Sequence, residues 1–296
     1  MIDAPFPWFG GKRRVAPEVW RRFGDVRNYV EPFFGSGATL LQRPEPFDGN
    51  ETINDLDGFV ANFWRAVRSD PAAVAEHADH EVNENDLHAR HAWLVSQRES
   101  LRARLEGDPE FFDAKIAGWW VWGLCCWIAG GWCSGRGPWV VNDDRQLVHL
   151  GNNAQGSLVE WFAALAARMA RVRVASGDWS RVCGKSVTWT HGITGVFLDP
   201  PYEDFGHLYE AGAPSVSRDV REWAIENGKR ADMRIALCGY DGEHEMPGWA
   251  VHEWKADGGY GSMASDGENQ NAHRERVWFS PACLGANVAP QTEMFA

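Results

Sequence analysis

No apolar run in this chain is long enough to cross a bilayer. The longest, Gly118 to Trp132, is too short and is interrupted by glycines. Nor does a basic, apolar, small-residue leader open the sequence, so a cytoplasmic location is expected and no membrane partner. Metal-binding cysteine spacing is missing as well. Cys125, Cys126, Cys133, Cys183, Cys238 and Cys283 contain no CxxC pair and lie mostly among apolar neighbours, as reduced core thiols do. Positive charge is in short supply: 29 Lys and Arg against 41 Asp and Glu leave a net charge of −12. Bulk charge therefore gives no general affinity for phosphates. The distribution is uneven, however, with six basic and three acidic residues in 1–30, and one basic and seven acidic in 241–268. Such a chain can present a basic face within an acidic total. Its 296 residues allow one large α/β domain, alone or with a smaller one inserted.

What is present centres on Asp199-Pro200-Pro201-Tyr202, directly after the apolar run Gly195-Val196-Phe197-Leu198. That run reads as a buried parallel strand. Two consecutive prolines fix φ and donate no backbone hydrogen bond, and each biases the preceding residue away from the helical region. The chain must leave the strand end stiff and extended. In an open α/β sheet, ligands bind at the carboxyl ends of strands, where this corner falls. The corner suits the exocyclic amine of adenine or cytosine, a poor nucleophile because its lone pair is delocalised into the ring. The Asp199 carboxylate and the Pro200 carbonyl could accept the amine's hydrogens and free that lone pair, while Tyr202 offers a stacking face. A proline-stiffened turn without chemical meaning is the alternative for the tetrapeptide taken alone.

Upstream, Trp8 and Lys12 flank the pair Gly10-Gly11, and Arg13 and Arg14 follow, ahead of a helical run from about Ala16 to Phe23. Tyr29-Val30-Glu31-Pro32-Phe33-Phe34-Gly35-Ser36-Gly37 reads as a short strand, a glycine turn and the opening of a helix. The third glycine of the dinucleotide fingerprint is lacking, so the turn alone is weak evidence. Some eighteen residues on, Thr52-Ile53-Asn54-Asp55 reads as a second strand ending in an acid, about the spacing at which a carboxylate meets ribose hydroxyls.

From about Gly58 to Arg104 the pattern is helical, and His77, His80, His88 and His91 read as solvated helix histidines. Trp119, Trp122 and Cys126 share one face of a later helix and read as core. The run Gly130 to Trp139 combines glycines, two indoles and Arg136, which suits phosphate contact and base stacking, or else a plain surface loop. A helix from about Leu158 leads into a strand ending at Asp178 and Trp179, an acid and a ring that could meet a purine. Further strands are expected at Arg234–Cys238, Val251–Trp254 and Glu275–Phe279, and Asp257–His273 reads as a loop. Alternating strands and helices predict a mostly parallel, doubly wound sheet.

In order and content, Trp8-Phe-Gly-Gly-Lys12, Glu31-Pro-Phe-Phe-Gly-Ser-Gly37, Asn54-Asp55 and Asp199-Pro-Pro-Tyr202 resemble the Dam-like family of adenine-N6 DNA methyltransferases. The resemblance implies a Rossmann-like, seven-stranded methyltransferase sheet with S-adenosylmethionine as methyl donor. Residues 1–65 and 155–296 would form the catalytic part, and 66–154 a mainly helical insertion that reads the DNA target. By the same resemblance Trp8, Lys12, Glu31, Phe33, Gly35, Gly37, Asp55, Asp178 and Asp199 contact the cofactor, and Asp199 to Tyr202 form the adenine site. Arg13, Arg14 and Arg136 are the candidate contacts to double-stranded DNA, and no metal is called for. A cognate restriction endonuclease is a conceivable partner. The tryptophan-rich insertion matches the family's recognition loop only loosely, so the DNA sequence read is left open. Two other readings stay open: a cytosine-N4 methyltransferase, and a catalytically silent DNA-binding or antirestriction protein of the same fold.

Overall fold

A computed structural model of the chain describes residues 2–8, 11–127, 132–133, 157–202, 213–255 and 274–285. Seven strands form one sheet. They are β1 Asn28–Glu31, β2 Asn50–Asp55, β3 Arg173–Ser176, β4 Thr194–Leu198, β5 Met233–Tyr240, β6 Ala250–Glu253 and β7 Glu275–Phe279. Their order across the sheet is β3-β2-β1-β4-β5-β7-β6. β1 runs parallel to both β2 and β4, and β4 parallel to β5, whereas β7 pairs antiparallel with β5 and β6. The predicted doubly wound, mostly parallel sheet is therefore what the chain builds.

The chain divides into two compact units, 1–9, 35–37 and 54–178 in one, and 10–34, 38–53 and 179–296 in the other. In the second unit, β1 and β4 are buried along their whole length, as strands covered on both faces must be. Register places Val30 beside Val196, and Val196 beside Ile235, so the central ladder is also a row of branched apolar side chains. β6 alternates half-buried and exposed residues, the pattern of an edge strand. Helix α1, Ala16–Phe23, has Pro17 in its first turn and Arg21 and Arg22 in its last. It buries Ala16, Val19, Trp20 and Phe23, and the Trp20 indole donates to the Thr39 carbonyl at 2.8 Å. Beneath it, Arg43 reaches Glu51 at 3.0 Å and the Val26 carbonyl at 2.7 Å, with both members of the ion pair buried.

The first unit is mainly helical. The span read from sequence as one helical stretch is three helices: α2 Gly58–Ser69, α3 Pro71–Ala78 and α4 Glu84–Gly107. Asp70 ends the first and caps the second, and Pro71 occupies a first-turn position where its missing N–H is harmless. α5 Ala114–Cys126 and α6 Leu158–Met169 follow, the latter opened by a capping box between Ser157 and Glu160. Phe6, Phe63, Trp64, Trp120 and Phe162 interlock at ring-centroid separations of 5.0–6.4 Å, largely edge to face. Two histidines depart from the solvated reading. His91 stacks on Trp127 at 5.0 Å and accepts the Cys133 N–H, and His80 stands edge-on to Trp122. Trp122 and Cys126 are core, whereas Trp119 is half-buried beneath the Lys115 ammonium.

The short α7, Ser180–Cys183, and α8, Ala213–Asn227, complete the second unit. All six cysteines are free. Among the described residues no helix is long and apolar enough to cross a membrane, and no cluster of His, Cys, Asp or Glu could hold a metal ion.

Candidate active site

In the mainly helical unit the glycine turn is built around its own tryptophans. Gly35 has φ +49°, and a Cβ there would collide with the Trp8 indole, so glycine is required on both counts. Gly37 also lies in the left-handed region, at φ +71°. Trp64 of α2 donates its indole N–H to the Gly35 carbonyl at 3.0 Å, and Trp8 packs edge-on to Phe6. The Gly35 N–H, in turn, donates to Asp55 Oδ2 at 2.9 Å, while the Asp57 N–H donates to Asp55 Oδ1 at 2.9 Å. One carboxylate thus locks the glycine turn to the end of β2. Loss of water pushes the Asp55 carboxyl up to about 7, against the downward pull of those amides. Each carboxylate oxygen still has a lone pair to offer. Next to it Leu56 is 57% exposed, an apolar face that sequence reasoning passed over. Asp178, after β3, is also exposed.

In the other unit, β1 and β4 lie side by side where the strand order reverses, the usual ligand position in such sheets. After β1, Glu31 is buried and accepts the Tyr29 hydroxyl at 2.7 Å. Burial, reinforced by the nearby charge of Asp199, raises its carboxyl well above the ordinary range. Phe33 is half-buried and stacks on Trp179 at 6.3 Å. After β4, Asp199 Oδ1 receives two donors, the Lys12 ammonium at 3.0 Å and the Tyr202 hydroxyl at 3.1 Å. The same hydroxyl lies 2.9 Å from Glu275 Oε2, and Lys12 lies 3.8 Å from that oxygen. Burial alone would lower the Lys12 pKa, but Asp199 and Glu275 outweigh it and hold the ammonium charged. Tyr202 is 8% exposed, with Tyr240 edge-on at 4.6 Å and Lys12 Nζ 5.3 Å from its ring centre. The ring assigned to stacking is thus already engaged on its own side of the sheet.

Lys12, Asp199 and Tyr202 are therefore brought together, as are Trp8, Gly35 and Asp55 within their own unit. Arg13 and Arg14 are exposed in the turn ahead of α1. Arg136, the glycine-rich run around it and Asp257–His273 lie outside the described residues. Glu275 was missed from sequence, where it appeared only as the first residue of a strand. Its contact with Tyr202 spans 73 residues and carries no local signal.

A sheet in this strand order, with its antiparallel β7 returning between β5 and β6, is a Rossmann-like methyltransferase fold. Residues 8–109 match the family model of the D12 class N6 adenine-specific DNA methyltransferases, which bears out the resemblance read from the motifs over that stretch. Two curated relatives, both named DNA adenine methylase and both from Vibrio cholerae serotype O1 (Classical Ogawa and El Tor Inaba strains), are each 23% identical over 110 residues. Those residues are 37% of this chain and 34% of each relative, so the match spans about a third of the relatives' length.

Proposed function

We propose that this chain transfers the methyl group of S-adenosylmethionine to the N6 amine of an adenine extruded from double-stranded DNA. The observation that carries the reading is the Asp199 carboxylate, 17% exposed at the end of β4 with Oδ1 saturated by Lys12 and Tyr202. Among the described residues Oδ2 has no hydrogen-bond partner. It is free to accept a hydrogen from the amine, with the Pro200 carbonyl proposed as the second acceptor, drawing the nitrogen toward a tetrahedral state. An amine buried in the base stack is out of reach of any side chain, so the base must flip out. Acceleration then comes from positioning and from fixed dipoles at the reacting nitrogen.

The residues fit the donor. An adenosine needs an acid for its ribose hydroxyls and an apolar face for its base, and Asp55 with Leu56 supplies both beside the glycine turn. In that unit Trp8, Gly35, Gly37, Asp55 and Asp178 are proposed to hold the cofactor; in the other, Lys12, Glu31, Phe33 and Asp199. When bound, S-adenosylmethionine supplies an electrophilic methyl group on a sulfonium. Pro200 and Pro201 keep the corner extended, and Tyr202 holds Asp199 in place through its hydroxyl. Residues 1–65 and 155–296 would act as the catalytic part and 66–154 as the reader of the DNA site, with Arg13, Arg14 and Arg136 on phosphates. The protein would work in the cytoplasm, alone or beside a cognate endonuclease.

Modified-base sequencing of DNA from cells expressing the chain tests this. N6-methyladenine in one sequence context is expected. N4-methylcytosine would move the reaction to the other amine, and unmodified DNA despite measurable cofactor binding would favour a silent DNA-binding protein.

A further inference from the structure

Around the Tyr202 hydroxyl the hydrogen bonds do not add up if both neighbouring carboxyl groups are ionised. A phenol has one hydrogen to donate. Its oxygen lies 2.9 Å from Glu275 Oε2 and 3.1 Å from Asp199 Oδ1, both hydrogen-bond distances. With two carboxylates, one of the contacts would set lone pair against lone pair. Among the described residues a single ammonium, Lys12, faces both acids, 3.0 Å from Asp199 and 3.8 Å from Glu275. Glu275 is 4% exposed and Lys12 5% exposed, so water does not make up the deficit. The two Tyr202 contacts need one of the acids protonated, and the shorter Lys12 contact keeps the charge on Asp199. Protonated Glu275 donates to Tyr202, Tyr202 donates to Asp199, and Asp199 keeps its charge beside Lys12.

We infer that Glu275 is a positioning residue for methyl transfer, a neutral acid that orients the Tyr202 hydroxyl onto Asp199 Oδ1 and so reserves Oδ2 for the amine. The inference rests on the proposed function for what Asp199 does, but not for where the proton sits. Facing Glu275 among the described residues are Lys12 ahead of α1, Asp199 and Tyr202 after β4, Cys238 on β5, and Glu243 after β5. Burial raises the Glu275 carboxyl, Lys12 opposes that, and Asp199 and Glu243 add to it. Asp199 is raised by burial too, but Lys12 stands closer to it and contributes a hydrogen bond. The proton therefore belongs on Glu275, the acid farther from the ammonium.

Two measurements on the full chain test this. In protein labelled with ¹³C at the glutamate carboxyls, the resonance lost in Glu275→Gln is expected to titrate well above the ordinary glutamate midpoint of about 4.3. A midpoint at the ordinary value overturns the inference, and no cofactor, DNA or activity is needed to see it. In methyl transfer to DNA, the wild-type rate is expected to fall as pH rises through that midpoint, because ionised Glu275 releases Tyr202. Glu275→Gln, whose amide can donate to Tyr202 in the same way, keeps a rate within a few-fold of wild type and loses that alkaline fall. Glu275→Ala is expected to lose about tenfold or more in kcat with little change in KM for the cofactor. A Glu275→Gln profile identical to wild type would contradict the inference. If the wild type methylates no DNA, the proposed function fails, while the carboxyl titration still decides where the proton resides.

Discussion

At the scale of single residues, the claims meet at Asp199 and Gly35. Asp199→Asn keeps an acceptor for the Tyr202 hydroxyl, and Glu275, 3.8 Å from Lys12, can ionise beside the ammonium once the Asp199 charge is gone. The fold is therefore expected to survive, while methyl transfer falls by about 10²- to 10³-fold, the usual loss when a preorganised electrostatic contact at a reacting centre is removed. Thermal melting and single-turnover transfer, measured on the same sample, separate the two effects. Activity within a few-fold of wild type would mean that the carboxylate does not face the reacting amine. Gly35→Ala introduces a side chain at φ +49° directly into the Trp8 indole. About 1–3 kcal/mol of stability should be lost by urea denaturation, together with cofactor affinity by calorimetry. An unchanged midpoint would contradict the packing described for that turn.

At the scale of elements, the ends of β1, β2 and β4 are proposed to carry the chemistry, and each is tied down by a polar contact. Asp55 ties the end of β2 to the glycine turn, and its carboxyl is pushed up to about 7 from an ordinary 3.8. A raised acid means that the folded chain binds a proton the unfolded chain has already released. This contribution to stability is therefore complete at low pH and shrinks as pH rises from about 4 to 7. Asp55→Asn should flatten that part of the stability profile, by about 1–4 kcal/mol between pH 4 and pH 7.5 in urea melts compared with wild type. Parallel profiles would place the Asp55 proton elsewhere. The elements themselves were well marked in the sequence. Ala16–Phe23 and Glu275–Phe279 have the bounds that periodicity assigned, because a proline-led amphipathic turn and a β-branched, aromatic run are local signals. The Asp199 corner was legible for the same reason, since consecutive prolines constrain their own backbone. Glu275 was not, because its contacts come from register between β5 and β7 and from the return of the chain past Lys12. The helix at Ala213–Asn227 escaped notice too, its narrow buried face of Ser217, Val220, Ala224 and Asn227 being half polar.

At the scale of the whole molecule, an acidic chain with a net charge of −12 is proposed to act on a polyanion. Its electrostatic footprint on DNA would have to be local, and exposed Arg13 and Arg14 beside α1 are proposed as the described part of it. Changing both to Gln should weaken binding about equally across DNA sequences and reduce the slope of log affinity against log salt by about 2. An unchanged slope would remove both residues from the interface. The division into two units was only partly legible. Glycine turns and an acid at ribose spacing were clear in sequence, but the first unit gathers 1–9, 35–37 and 54–178 from three separate stretches. Packing among Phe6, Trp8, Trp64 and Trp120 joins the first stretch to the third, and the Gly35 contacts with Asp55 and Trp64 join the second; neither leaves a spacing rule to read.

The most direct measurement is mass analysis of nucleosides from duplex DNA incubated with the purified protein and S-adenosylmethionine carrying a deuterated methyl group. N6-deuteromethyl-deoxyadenosine, present with wild type and lost with Asp199→Asn, is the predicted result. Label found on deoxycytidine, or on no base at all while the cofactor binds, would contradict the account.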